Sequence, residues 1–236
     1  MSNAGGLGLL GAGSMHPETL VEHIHKMNAA TDKPWGINVP LMYPEIDRLM
    51  DIIVDEGVKI VFTSAGSPKK FTQRLHEEGI KVAHVVSSSK FARKCEEAGV
   101  DAIVAAEALG AEGVQIGTLF ALAKESSASE AFKTRCTQLE EGDTMLCLKK
   151  ISPTRLVKNQ LYQRLAEAEA RGAEADELRQ MLGKAASKRG IFEGDIEGGE
   201  IEIGQIASAI RSIDDVATIM ARLKAEYEET KNRLAR

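Results

Sequence analysis

Short apolar runs alternate with longer amphipathic segments along the first half of the chain. The runs are Gly6 to Leu10, Trp35 to Val39, Lys59 to Thr63, Lys81 to Val86, Ala102 to Val104 and Val114 to Gly117. Each is short and largely apolar, as a strand buried on both faces should be. The gaps carry helical spacing. His16 to Met27 has Ser14 as a candidate N-cap and Pro17 near its first turn. Tyr43 to Glu56 places Ile46, Leu49, Met50 and Ile53 on one face, and Pro68 to Glu78 and Ser88 to Ala98 follow. Gly57, Gly79 and Gly99 stand where these last three helices stop, which fits the left-handed residue that commonly ends a helix. Alternating strand and helix with short loops predicts a parallel sheet, open or closed.

The second half reads differently. From Ser152-Pro153, a capped helix start, Leu156, Leu161, Leu165, Leu178 and Leu182 run through a segment rich in Ala, Glu, Arg and Lys to Lys188. Those residues are good helix formers, and Gly172 divides the segment into two helices. Gly190 to Gly204 is an acidic, glycine-rich loop, and Ser212 to Leu234 is a last helix with Ile219, Leu223 and Tyr227 on one face. The expected division is therefore 1–150 as a strand-and-helix domain and 151–236 as a helical cap region.

One spacing breaks the rhythm. Only Ala105 to Gly113 separates the runs ending at Val104 and beginning at Val114. Two neighbouring parallel strands need a crossover of roughly a dozen residues, usually a helix. Either the second run is not an adjacent parallel strand or an intervening element is missing. The first run likewise begins almost at Met1, so no leading element is expected before it.

Composition narrows the field. Hydrophobic residues make up 43% of the 236, enough for a packed core, and the net charge of −5 argues against nucleic acid as a partner. Cys95, Cys136 and Cys147 have no metal-ligand spacing and read as reduced thiols of a cytoplasmic protein. No run reaches the roughly 18 apolar residues of a membrane span. The N-terminus is too short and glycine-rich for a secretory signal. HExxH, GxSxG, paired CxxC and P-loop patterns are absent, and Gly5-Gly6-Leu7-Gly8 lacks the strand-then-GxGxxG order of a dinucleotide fingerprint.

Three segments carry candidate chemistry. Val114-Gln115-Ile116-Gly117-Thr118 ends a run in a polar turn able to hold a phosphate on backbone N–H groups, or it is an ordinary strand end. Asn38, in Trp35-Gly36-Ile37-Asn38-Val39-Pro40, can pair with a planar heterocycle or form an Asx turn before Pro40. Thr63-Ser64-Ala65-Gly66-Ser67-Pro68 leaves room for a ligand after the third strand, or is a plain loop with Ser67 capping the next helix. His23 and His25 diverge on their helix and share no metal. His84 lies within a strand, where a barrel could point it inward or where it is a hydrogen-bonded core histidine.

Together the segments SNAGGLGLLGAG (2–13), PWGINVP (34–40), IVFTSAGSP (60–68), AGVDAIVA (98–105) and LGAEGVQIGTLFALAKES (109–126) resemble the nitronate monooxygenase family. KKISPTRLVKN (149–159) and Gly204-Gln205 fit its C-terminal part. These are FMN-dependent (β/α)8 barrels related to flavin-dependent enoyl-ACP reductases. The resemblance implies an incomplete, TIM-barrel-like α/β fold of about six of eight strands, with a C-terminal helical region. It implies that Asn38 contacts FMN and that Gln115, Ile116, Gly117 and Thr118 bind the FMN phosphate. The implied reaction is oxidation of an alkyl nitronate by O2. The family's first strand, its histidine-bearing loop after the sixth strand, its seventh strand and its second phosphate loop have no counterpart here. The sequence therefore names no catalytic residue, and the resemblance predicts weak or absent FMN binding by the monomer. Two alternatives are an enoyl-thioester reductase and a non-catalytic member whose open sheet edges pair two copies.

Overall fold

The computed structural model describes residues 1–13, 15–86, 89–105 and 115–234, with the side chains of residues 89, 90, 105 and 234 excepted. The chain divides into two compact units, Met1–Gln115 and Ile116–Arg236.

In the first unit, strands β1 (Gly8–Gly11), β2 (Trp35–Pro40), β3 (Ile60–Ser64), β4 (Lys81–Val86) and β5 (Ala102–Ala105) form a sheet in sequential order. Every neighbouring pair is parallel. Helices α1 (Pro17–Ala30), α2 (Ile46–Asp55), α3 (Thr72–Glu77) and α4 (Ser89–Glu97) supply the crossovers. Register puts Ile37, Val61 and Val82 side by side. They share one core with Leu20 and Ile24 of α1, Leu49, Met50 and Ile53 of α2, and Leu75 of α3. Gly57, Gly79 and Gly99 take φ of 68°, 70° and 74°, the conformation expected of glycines that end helices.

The expected α/β architecture of TIM-barrel-like parallel strands holds, as five strands among the described residues, with no closed barrel. The sixth run does not form a strand where it is described. Gln115 to Gly117 are irregular, and Val114 lies outside the described residues. Gly117 already has helical dihedrals (φ −100°, ψ −62°) because it caps α5 (Thr118–Ala121), which follows at once. Ser14, the expected cap of α1, also lies outside the described residues; His16 stands at the N-cap position.

The second unit contains α5, α6 (Glu130–Thr137), strands β6 (Thr144–Cys147) and β7 (Thr154–Val157), then α7 (Gln160–Ala170), α8 (Ala175–Leu182) and α9 (Val216–Leu234). The helix expected from Ser152 is corrected here. Thr154–Val157 pairs antiparallel with β6, and Leu156 also bridges to Glu202. The helix starts only at Gln160, where Asn159 accepts the Tyr162 N–H at 2.9 Å. Gly172 does separate α7 from α8, at φ 87°. No helix among the described residues is long and apolar enough to cross a membrane.

Candidate functional site

The strand order of a parallel ladder assigns faces. Residues in register point the same way, and successive residues alternate. Gly11, Asn38, Phe62, Ala83 and Ala102 form one row on the face opposite the helix-packed core. Asn38 is half-buried in that row, and its carbonyl accepts the Ala12 N–H at 2.9 Å. Its side-chain amide has no hydrogen-bond partner among the described residues. An amide carrying donors and an acceptor is thus presented on the sheet face opposite the core packed by α1, α2 and α3.

His84 belongs to the other face, one position along, beside Val39 and Thr63. It is 4% exposed, and its Nδ1 lies 2.6 Å from the Thr63 hydroxyl. Burial lowers its pKa, against a hydrogen bond to the Gly66 backbone that favours the charged form. A buried ring bonded to the Thr63 hydroxyl and held toward its neutral form reads as a structural histidine, and it does not share a face with Asn38. Thr63 is the partner that spacing alone did not reveal; it sits opposite His84 only through the strand register.

The loop after β3 is shaped by its own packing. Ala65 carries the left-handed conformation, at φ 51°, and Gly66 does not. A Cβ on Gly66 would stand 2.8 Å from Leu41 Cβ, so the glycine there makes room for a side chain of the fold. Ser67 precedes a short 3-10 turn, Pro68–Lys70, and makes no capping hydrogen bond from its side chain.

The expected phosphate turn straddles the boundary between units: Gln115 ends the first, and Ile116, Gly117 and Thr118 open the second. Gln115 and Gly117 are exposed, and a Cβ on Gly117 would meet nothing within 4 Å. Within the second unit the Thr118 hydroxyl accepts the Gly204 N–H at 3.3 Å. Gly204 could not carry a side chain here, because its Cβ would fall 2.6 Å from Thr118 Oγ1. The hydroxyl oxygen is therefore used as an acceptor while its O–H remains free to donate. A cavity of about 570 Å3 adjoins this pair and is lined also by Arg155, Glu202 and Ser152. Neither Arg155 nor Glu202 stands out in the sequence, where Ser152 onward reads as helix; the Leu156–Glu202 bridge brings their segments together.

The remaining polar groups of this unit serve structure. Lys133, 2% exposed, donates to the Lys124 carbonyl and to Glu130 Oε1, each at 3.2 Å. Burial pushes the Cys136 thiol up to about 12, and burial with the adjacent Glu169 carboxylate pushes Cys147 to about 11, so neither is a thiolate at neutral pH. No cluster of three His, Cys, Asp or Glu among the described residues could hold a metal.

Comparison with known proteins adds an independent line. The family model for nitronate monooxygenase matches residues 1–49 and 103–226, well over half of the chain and including the Gln115–Thr118 turn and Gly204. The structure of FabK from Thermotoga maritima superposes with a TM-score of 0.92 at 30% identity, covering 99% of this chain and 88% of that one. A probable nitronate monooxygenase of Staphylococcus saprophyticus is 24% identical, over 71% of this chain and 73% of its own. The (3aS,4S,5R,7aS)-5-hydroxy-7a-methyl-1-oxo-octahydro-1H-indene-4-carboxyl-CoA dehydrogenase of Mycobacterium tuberculosis is 26% identical over 72% of this chain. The chain spans 62% of that relative's length. With β1, β2, the turn and the glycine packed on it within a match that covers well over half of the chain, the chain belongs to the nitronate monooxygenase family.

Proposed function

We propose that this chain is an FMN-type oxidoreductase acting on alkyl nitronates with O2, with cofactor binding weaker than a complete barrel of the family would have. The observation that carries the reading is the pairing of Thr118 with Gly204. Two segments 86 residues apart are held together at the turn that the family uses for the flavin phosphate.

The residues present suit a phosphate. The turn is open at Gly117, the Thr118 O–H donates to no partner among the described residues, and Phe120 and Ala121 turn their amides back onto the Gly117 carbonyl, leaving Thr118 and Leu119 at the open end. Asn38 supplies an unpartnered amide suited to the edge of a flavin ring. Gln115 and Ile116 complete the turn that would meet the phosphate. FMN, when bound, supplies the redox chemistry of nitronate oxidation, and the protein orients substrate and cofactor. No side chain in this reading acts as the base that would remove the α-proton of a neutral nitroalkane. Activity is therefore expected on the preformed nitronate and not on the nitroalkane. Weakness follows from the nine residues between Val104 and Val114, too few for the family's histidine loop, seventh strand and second phosphate loop.

Titration of the purified chain with FMN tests the binding step, and oxygen uptake with propionate 3-nitronate tests the chemistry. The proposal expects weak saturable binding, lost in Thr118→Ala and in Gly204→Ala, whose Cβ would crowd Thr118 Oγ1. FMN binding that neither variant alters would overturn the site. NAD(P)H consumption with an enoyl thioester, without oxygen uptake on the nitronate, would replace the reaction by the reductase alternative.

A further inference from the structure

Helix α9 is anchored at its start. The Glu125 carboxylate accepts the Val216 N–H at 3.0 Å, Asp215 accepts the Thr218 N–H at 2.8 Å, and Arg222 donates to Asp214 at 3.2 Å. Ile219 is 1% exposed, and Val216, Met220 and Leu223 are half-buried. Beyond them every residue from 224 to 233 is exposed, Tyr227 to 65%.

Burial stops there, but the apolar pattern does not. Val216, Met220, Leu223, Tyr227, Thr230 and Leu234 follow one another at alternating steps of four and three. That is the heptad spacing of a two-stranded helical seam. Most of a helix's stability comes from packing such a face, and propensity alone supports a short exposed end poorly.

The residues flanking this seam suit a copy of the same helix. Glu226 precedes Tyr227, and Lys231 follows Thr230. In a parallel helix pair, the residue before one seam position faces the residue five places further along the other helix. Glu226 then meets Lys231 of the second copy, and by symmetry Lys231 meets Glu226 of that copy. Lys231 also lies 3.6 Å from Glu228 on its own helix, an exposed pair worth little. An antiparallel pair would set Glu226 against Arg233 and Lys231 against Lys224, one attraction against one repulsion.

We propose that the outer half of α9 pairs in parallel with the same helix of a second copy, along Leu223, Tyr227, Thr230 and Leu234, with Glu226 facing Lys231. The inference does not rest on the flavin reading. The seam from Leu223 to Leu234 is shorter than two heptads and includes a threonine, so the dimer is weak and forms at high concentration.

Sedimentation equilibrium of the full chain, up to about 0.5 mM, tests it. The proposal expects a mass that rises from monomer toward dimer. Glu226→Lys and Lys231→Glu each turn both cross-helix attractions into repulsions, and each is expected to weaken the dimer about fivefold or more. An equimolar mixture of the two variants sets opposite charges face to face again and is expected to recover the dimer, which fraying of either helix would not allow. Thr230→Leu places an apolar side chain at an exposed seam position and is expected to tighten the dimer about tenfold. Monomer at every concentration overturns the proposal, as does a mixture of the variants that stays dissociated. Dimer that both charge reversals leave unchanged would place the contact elsewhere, as at open sheet edges, and overturns it too. So does a tighter dimer in Lys231→Glu, the sign of antiparallel pairing.

Discussion

The two units hold themselves together in different ways. The sheet unit has one continuous apolar core, in which α1, α2 and α3 press Leu20, Ile24, Leu49, Met50, Ile53 and Leu75 onto Ile37, Val61 and Val82. The second unit divides its apolar residues between two clusters, one around Phe132, Cys136 and Ile201 and one around Leu161, Leu165 and Leu178. Between its segments run buried polar links. Asn159, 6% exposed, caps α7 and donates to the carbonyls of Ile196 and Gly199 at 2.7 and 2.9 Å. Gly190 and Gly199 meet so closely that a Cβ on Gly199 would lie 2.4 Å from the Gly190 Cα. A layered sheet can be held by packing alone. Separate helices and a two-stranded hairpin need specific hydrogen bonds to fix their crossings.

That contrast can be broken by mutation. Leu49→Ala opens a cavity in the continuous core and is expected to destabilise the first unit by about 2–5 kcal/mol, with Leu49→Met costing far less. Asn159→Ala removes a cap and leaves two carbonyls without donors; the expected loss is about 2–3 kcal/mol, confined to the second unit. Denaturant unfolding followed by amide exchange in each unit distinguishes them. Equal protection losses in both units after either change would show that the units do not differ as described.

Acid sharpens the comparison in the first unit. Asp101 ties three elements together, its carboxylate accepting from Lys81 Nζ and the Val82 N–H at 2.8 Å, with His76 Nε2 at 2.7 Å. Partial burial would raise its pKa, but the Lys81, Val82 and His76 hydrogen bonds outweigh it and hold the carboxyl at about 2. A depressed acid contributes stability above its unfolded value of 3.8, and that contribution is lost as pH falls toward 2. Wild type should therefore lose about 1–2 kcal/mol over that window relative to Asp101→Asn, after allowance for solvent screening.

The smallest effect belongs to the second unit and has the opposite sign. Burial raises the pKa of Glu200, against the Ser187 hydrogen bond, and the Glu202 charge raises it further. Ser187 Oγ lies 2.7 Å from Glu200 and 2.8 Å from Glu202. One hydroxyl proton cannot serve two carboxylates, so the arrangement favours a protonated carboxyl. A raised acid contributes stability that is complete below its unfolded value and is lost as pH rises through the folded one. Glu200→Gln, which mimics the protonated state, should match wild type near pH 4 and exceed it by less than about 1 kcal/mol at pH 8. Thermal melts across that range check both the sign and the size.

The same contrast explains what could be read from the chain. Parallel strands packed under helices appear as apolar runs such as Lys81 to Val86, and Gly57, Gly79 and Gly99 punctuate the helices between them. The β6–β7 hairpin has no such signature. Thr154 and Arg155 are half-buried while Leu156 and Val157 are buried, a pattern without period two. Asn38, Gln115 and Thr118 can be nominated from the sequence because residue type and turn chemistry are local. The Thr118–Gly204 contact, the Thr63–His84 bond and the Leu156–Glu202 bridge depend on distant segments meeting, which local pattern does not encode.

Flavin absorbance of the purified chain, followed by FMN titration of wild type and Thr118→Ala, tests the functional account most directly. The account predicts protein with little flavin as isolated, weak binding on addition, and loss of that binding in Thr118→Ala. Stoichiometric yellow flavin in the isolated protein, or binding that Thr118→Ala leaves unchanged, would contradict it.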